Sequence, residues 1–333
     1  MMKNHKKTIK SPYINKRAIR EQTNNPQSTK GLKSIWIVNR TFVFNEKCFT
    51  NWLNEFSTIV VNDKNYELIY DESNIDSCLL GQGGNGFVFK YQCDEEKFAI
   101  KFFTNKDKRD EEVIKIKDVN NLFKGERSSN FRVTRFIDQG EVSLKLFDYT
   151  YKLFFIIMDL ADGTIKNLMC AHFKENNANL ETSNLLKQIK HLSETIQVLH
   201  SANYAHRDIK PENILLKGDL PVLADFGLTS NCDSEKIRQK GPKYWPNPEF
   251  IQACDVELQT IDVKSDIFNL GCLFFYFFTK KYPIGLINIE SELQNVTNNI
   301  REVIIKMLNY DKEERLDNIS EVIQIFENKI LGT

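Results

Sequence analysis

The chain has 333 residues, enough for one large domain or two lobes, and its 41% apolar and 27% charged content is that of an ordinary soluble globular protein. Basic and acidic residues balance at 45 each, so net charge gives no argument for nucleic acid or a membrane surface as partner. Seven scattered cysteines, none spaced C-x-x-C, speak against a disulfide framework or a zinc site and for a reducing compartment.

Residues 1–30 are rich in lysine, asparagine and serine and lack apolar periodicity, so they are expected to form a flexible basic tail. Weak contact with anionic partners is the only binding expected of it. No secretory signal is visible in MMKNHKKTIK, and the most apolar run, Ile267 to Phe278, is far shorter than the roughly 20 residues that cross a bilayer. The expectation is a soluble, cytoplasmic protein without a transmembrane segment. The host cytosol, for a secreted effector, and the nucleus also suit this composition.

Residues 31–75 form an apolar, aromatic extension expected to pack on the domain that follows. Ile35–Val38 and Thr41–Phe44 read as short strands. Phe49, Trp52, Leu53 and Phe56 share a helical face, with Asn45 as N-cap. From Leu79 to about Lys101 the chain is strand-like and broken by glycine; 108–123 is helical and 142–160 strand-like. Leu185, Ile189, Leu192, Ile196 and Leu199 then make an apolar helical stripe, and the rest is mostly helical. A sheet-rich first half and a helix-rich second half predict an α+β, bilobal fold.

Three motifs carry chemistry. In Gly81-Gln82-Gly83-Gly84-Asn85-Gly86 the glycines precede a β-prone run, Phe87 to Tyr91, so they suit a hairpin whose backbone N–H groups cover a polyphosphate. A structural turn explains the motif equally well. Twenty residues on, Lys101 ends the apolar strand Phe98-Ala99-Ile100, within reach of phosphates. Its carboxylate partner is Glu112, which shares a face with Ile116, Val119 and Phe123, or else Glu111, which falls with Lys115 and Asp118 on the face expected to meet water. His206-Arg207-Asp208-Ile209-Lys210-Pro211-Glu212-Asn213 and Asp225-Phe226-Gly227 flank two short apolar runs. Phosphoryl transfer needs an orienting carboxylate (Asp208), oxygen ligands for Mg²⁺ (Asn213 and Asp225) and a cation on the moving phosphate (Lys210). Two strands joined through Lys217–Pro221 would bring Asn213 back to Asp225.

From Gly81 to about Glu321 these residues resemble the eukaryotic-type serine/threonine protein kinase family. The resemblance implies a kinase domain over 76–330, with a sheet-rich lobe at 76–158 and a helical lobe at 162–330. It implies ATP with Mg²⁺ (or Mn²⁺ in its place) as cofactors and proteins as phosphate acceptors. Nucleotide contacts would come from Leu80, Gly81, Gln82, Gly83, Gly84, Asn85, Gly86, Val88, Ala99 and Lys101, although Val88 and Ala99 suit a plain core role nearly as well. Met158 would be the gatekeeper, and Asp159-Leu160-Ala161 the hinge that meets adenine through its backbone.

The same resemblance makes His206 and Phe226 members of an internal apolar spine and gives Asp266 the backbone of the catalytic loop. It pairs Glu249 with Arg315 and makes Leu273–Phe278 core packing. Lys210 implies serine/threonine specificity, but Gly241–Glu249 lacks the family's threonine, so the substrate platform departs from the usual pattern. The segment Asp225–Glu249 has serine or threonine hydroxyls only at Thr229, Ser230 and Ser234, which favours activity without segment phosphorylation. Other classes fit less well. A pseudokinase-type binding scaffold would be expected to lack one of Lys101, Asp208 or Asp225. A small-molecule kinase would lack the Asn247–Asp266 segment, and in a Rossmann oxidoreductase the glycines would open a helix.

Overall fold

A computed structural model describes residues 36–38, 41–43, 56–71, 73–83, 86–124, 132–146, 149–166, 183–232, 248, 262–281, 283 and 288–331. The basic tail, the helical face of Phe49, Trp52 and Leu53, the turn residues Gly84 and Asn85, Glu249, and the stretch 233–247 lie outside the described residues. The chain divides into two compact units, Met1–Asp110 with Ile137–Met158, and Glu111–Phe136 with Asp159–Thr333.

The first unit is built on strands. β1 (Trp36–Val38) pairs antiparallel with β2 (Thr41–Val43). The hairpin of β3 (Thr58–Val61) and β4 (Lys64–Leu68) joins a seven-stranded sheet with β5 (Leu79–Gly83), β6 (Gly86–Cys93), β7 (Glu96–Phe103), β8 (Phe136–Leu146) and β9 (Tyr149–Asp159). Along β6 burial alternates, with Phe87, Phe89, Tyr91 and Cys93 inward, as a strand with one covered face requires. In β7 every residue from Phe98 to Phe103 is buried, which makes it the central strand.

Phe102 is the hub of this core. Its ring stacks on Phe87 at 5.8 Å and lies 5.8 Å from Phe155, 6.1 Å from Phe89 and 6.3 Å from Tyr91. Phe56, which the amphipathic pattern placed on an inward face, is buried 6.4 Å from the same ring, and its carbonyl accepts the Tyr91 hydroxyl at 2.9 Å.

The second unit is mainly helical. α1 (Lys106–Leu122) begins at the unit boundary; Asn105 caps it by accepting the Lys108 N–H at 3.1 Å. α2 (Ser183–Ser201) buries Ile189, Leu192, Ile196 and Leu199 of the predicted stripe, while its first member, Leu185, is half-buried and the neighbouring Leu186 is buried. α3 (Val263–Thr279), capped by the Asp262 side chain, is buried at every residue from Ser265 to Phe278 except Phe268, so Leu273–Phe278 is core. α4 (Asn298–Met307) and α5 (Ser320–Leu331) are the other longer helices among the described residues. No helix among the described residues is long and apolar enough to cross a membrane.

Short strands carry the motif residues. β10 (Gly163–Thr164) pairs with β12 (Ile214–Lys217), which pairs with β13 (Leu220–Leu223), and β11 (Tyr204–Ala205) pairs with β14 (Ser230–Asn231). The β12–β13 turn is tighter than the sequence suggested. Leu220 and Pro221 belong to the strand, and only Gly218, at φ +58°, and Asp219 turn the chain.

Since five aromatic rings meet Phe102, Phe102→Ala should cost about 3–5 kcal/mol. A urea titration of the full chain should show a markedly lower midpoint. An unchanged midpoint would mean that the first unit's core does not depend on this ring.

Candidate active site

In the first unit, β5 and β6 form the glycine hairpin, with Gly83 opposite Gly86. Gly86 has φ +142°, and a Cβ there would lie 1.9 Å from the Phe102 carbonyl oxygen. This glycine is therefore required by the protein's own backbone. At Gly81 a Cβ would meet nothing within 4 Å, so its openness is free for a ligand. Leu80 and Gln82 are exposed, Val88 is half-buried and Ala99 is buried. Lys101 lies opposite Val88, is buried, and has its ammonium 5.3 Å from the centre of the Phe103 ring. At the end of this unit Met158 is half-buried.

In the second unit, Glu112 is buried with Ile116 and Val119, whereas Glu111 is exposed; of the two carboxylates only Glu112 faces inward. Asp159 is held by Arg135, whose N–H donates to Oδ1 at 2.7 Å, and its own N–H donates to the Arg135 carbonyl at 3.3 Å. Leu160 and Ala161 follow, half-buried.

The predicted motif residues of this unit converge. The Ala224 N–H donates to the Asn213 carbonyl at 3.0 Å, so the β12–β13 hairpin returns Asp225 to Asn213 as the spacing implied. Asn213 Nδ2 donates both to the Asp208 carbonyl and to Asp208 Oδ2, each at 2.8 Å, and Lys210 Nζ donates to the same Oδ2 at 2.7 Å. Oδ2 is thus occupied. Oδ1 is buried and accepts no hydrogen bond among the described residues, an unusual state for a buried oxygen. Burial pushes the Asp208 carboxyl above the ordinary carboxylate range; Lys210 pulls it back and the Asp225 charge adds to the rise.

Asp266 fixes this loop. Fully buried on α3, its carboxylate accepts the N–H of His206 at 2.6 Å and of Arg207 at 2.7 Å. Arg207 sits at φ +69°, a disfavoured region for a non-glycine residue that these bonds offset. Arg207's guanidinium is also buried and donates to the Leu228 carbonyl at 3.4 Å; desolvation holds its pKa below the usual arginine value. The His206 ring lies edge-on to Phe226 at 5.4 Å, and its Nε2 lies 3.1 Å from the Ala224 carbonyl.

Sequence reasoning missed three participants. His200, which belongs to none of the motifs, has Nε2 3.2 Å from Asp266 Oδ2. Lys115, assigned to a water-facing side with Glu111, is half-buried and donates to the Gly227 carbonyl at 2.6 Å. Thr229, counted among the segment hydroxyls, is fully buried with Oγ1 3.5 Å from the His206 carbonyl. Only for His200 was there a local clue, its place in the last turn of α2 just ahead of His206. The predicted partner of Arg315, Glu249, is outside the described residues. Arg315 itself is buried and donates to the carbonyls of Lys264 at 2.7 Å and Asn309 at 3.1 Å.

Comparison with known proteins agrees with this arrangement. The chain is 25% identical over 256 residues to the serine/threonine-protein kinase PLK4 of Drosophila virilis, an alignment that covers 72% of this chain and 31% of that protein. It is 25% identical over 272 residues to a probable serine/threonine-protein kinase of Clostridium perfringens, covering 73% of this chain and 36% of the other. It is 26% identical over 289 residues to calcium-dependent protein kinase 5 of Plasmodium berghei, covering 78% and 46%. The chain therefore spans less than half the length of each of these relatives. The family model described as the protein kinase domain matches residues 76–333. With the glycine hairpin, the buried lysine and the Asp208–Asn213–Asp225 arrangement all inside that match, the chain belongs to the protein kinase domain family.

Proposed function

We propose that this chain is an active serine/threonine protein kinase that moves the γ-phosphate of ATP onto hydroxyls of other proteins. The observation that carries the reading is Asp208. One carboxylate oxygen is fixed by Lys210 and Asn213, and the other is buried without a hydrogen-bond partner among the described residues, as a hydroxyl-orienting group requires.

The residues present fit a divalent metal. Asn213 spends its amide nitrogen on Asp208, which leaves its Oδ1 as one hard oxygen ligand, and Asp225, whose charge acts on the Asp208 carboxyl, would supply the other. Mg²⁺ favours such oxygens. When bound, the metal neutralises charge on the phosphates. Asp208 Oδ1 accepts the proton of the incoming serine or threonine hydroxyl. The serine or threonine hydroxyl oxygen forms a bond to the γ-phosphorus as the bond to the β–γ bridging oxygen breaks, and ADP departs with the electron pair. Lys210, next to Asp208, stabilises charge on the moving phosphoryl group. Lys101, positioned by Glu112, holds the α- and β-phosphates. The glycine hairpin from Leu80 to Gly86, with Val88 and Ala99, covers the nucleotide, and adenine meets the backbone of Asp159 and Ala161 beyond Met158.

Residues 76–330 form the catalytic domain in this reading. The β3–β4 hairpin, paired to β6 at Glu67–Gln92, supports an extension over 31–75 that packs onto it. Burial of Thr229 and the carbonyl taken by Arg207 favour activity without a phosphate at the start of the segment.

The test is a split between binding and turnover. Asp208→Asn should lower turnover by about 10²–10⁴ while leaving ATP affinity near wild type, whereas Asp225→Ala should weaken Mg²⁺-dependent ATP binding as well. Asp208→Asn with near-normal turnover would remove the assigned role.

The acidic limb of the pH–rate profile gives an independent check. Asp208 must be ionised to accept a proton, so the rate should fall as pH drops through a value above 3.8, its unperturbed pKa. Lys210→Met removes the group that pulls this pKa down and should move the limb to higher pH. A limb that stays in place or moves lower contradicts the assignment.

A further inference from the structure

Lys115 follows Glu112 by three residues on α1. Its half-buried ammonium donates to the Gly227 carbonyl at 2.6 Å, a charge-assisted bond stronger than a neutral one. Gly227 belongs to the turn that carries Asp225. There the chain is under constraint: Asp225 adopts the left-handed region at φ +63°, ψ +72°, and Phe226–Leu228 form a single 3₁₀ turn. Without glycine's freedom, Asp225 holds that conformation only while its surroundings enforce it.

Further supports flank the turn. The Thr229 N–H donates to the Phe226 carbonyl at 3.0 Å, the Phe226 ring abuts His206, and His206 Nε2 reaches the Ala224 carbonyl. Lys115 adds a tie to the Gly227 peptide from a helix far away in sequence.

We infer that Lys115 is a positioning residue. Through the Gly227 carbonyl it holds the Asp225 turn in the conformation that takes the metal, and so sets the Mg²⁺ requirement of nucleotide binding. The inference rests on the proposed metal role of Asp225. Lys115 is assigned no contact with substrate or metal and acts through the Gly227 carbonyl.

Two variants of the full chain test it: Lys115→Met, which keeps length without the donor, and Lys115→Arg, which keeps a donor. Two quantities are read: amide hydrogen exchange across 226–229 in nucleotide-free protein, and the Mg²⁺ concentration that half-saturates ATP binding. Lys115→Met should speed exchange and raise the half-saturating Mg²⁺ by about tenfold each, as expected for loss of one hydrogen bond from a charged donor. ATP affinity in EDTA and the melting temperature should stay near wild type. Lys115→Arg should return both quantities to within about threefold of wild type, since a guanidinium also donates to a carbonyl.

Unchanged exchange and an unchanged Mg²⁺ requirement in Lys115→Met would overturn the inference. So would faster exchange alone, an equal loss of affinity in EDTA, or an arginine variant as impaired as methionine. Wild-type ATP binding that ignores Mg²⁺ would remove the metal role of Asp225 together with this inference. Normal Mg²⁺ dependence shared by wild type and Lys115→Met would remove Lys115 alone.

Discussion

A single buried carboxylate governs the second unit. Asp266 has no exposure to solvent, and a charge in that position is tolerated only when donors surround it. The N–H groups of His206 and Arg207 supply them, with His200 beside them. In return the loop accepts a left-handed Arg207, and that kink sets where the chain goes next. Asp208 follows immediately, so its carboxylate is aimed by a residue almost 60 positions later in sequence. The core helix α3, buried nearly all round, gives Asp266 a rigid base.

From that anchor the arrangement propagates by short range. Asn213 bonds back to Asp208, and the β12–β13 hairpin carries the chain away and returns it at Ala224, whose N–H meets Asn213. The ring of His206 packs on Phe226 while its backbone is held by Asp266. One histidine therefore links the anchored loop to the turn of Asp225. In the first unit the corresponding constraint is packing around Phe102, which also supplies the carbonyl that excludes any side chain at Gly86.

Much of this was legible in the sequence because few residue types can do the chemistry. An aspartate, a lysine and an asparagine at fixed short spacing around a bend leave little freedom, and the apolar runs after Asn213 and before Asp225 already imply a hairpin. The stripe of α2 and the inward face of Glu112 follow from helical period alone. What stayed hidden depends on tertiary approach. Lys115 was assigned to water because it falls on a helical face with Glu111 and Asp118, and nothing local shows that the Gly227 carbonyl comes to meet it. His200 lacks a motif, and its partner is distant in sequence. Thr229 reads as an ordinary segment hydroxyl until the chain folds it beneath His206. The glycine pattern was legible but incompletely understood, since the Phe102 carbonyl by itself already excludes a side chain at Gly86.

Whether the Asp208 arrangement passes phosphate to a hydroxyl side chain is measured directly from the product. The full chain would be incubated with γ-labelled ATP, Mg²⁺ and a generic basic protein, and the labelled amino acid identified after acid hydrolysis. The account predicts phosphoserine or phosphothreonine in the acceptor protein, and none above background with the Asp208→Asn chain. Label on tyrosine would contradict the specificity, and label absent from wild type, or equal in the two chains, would contradict the mechanism.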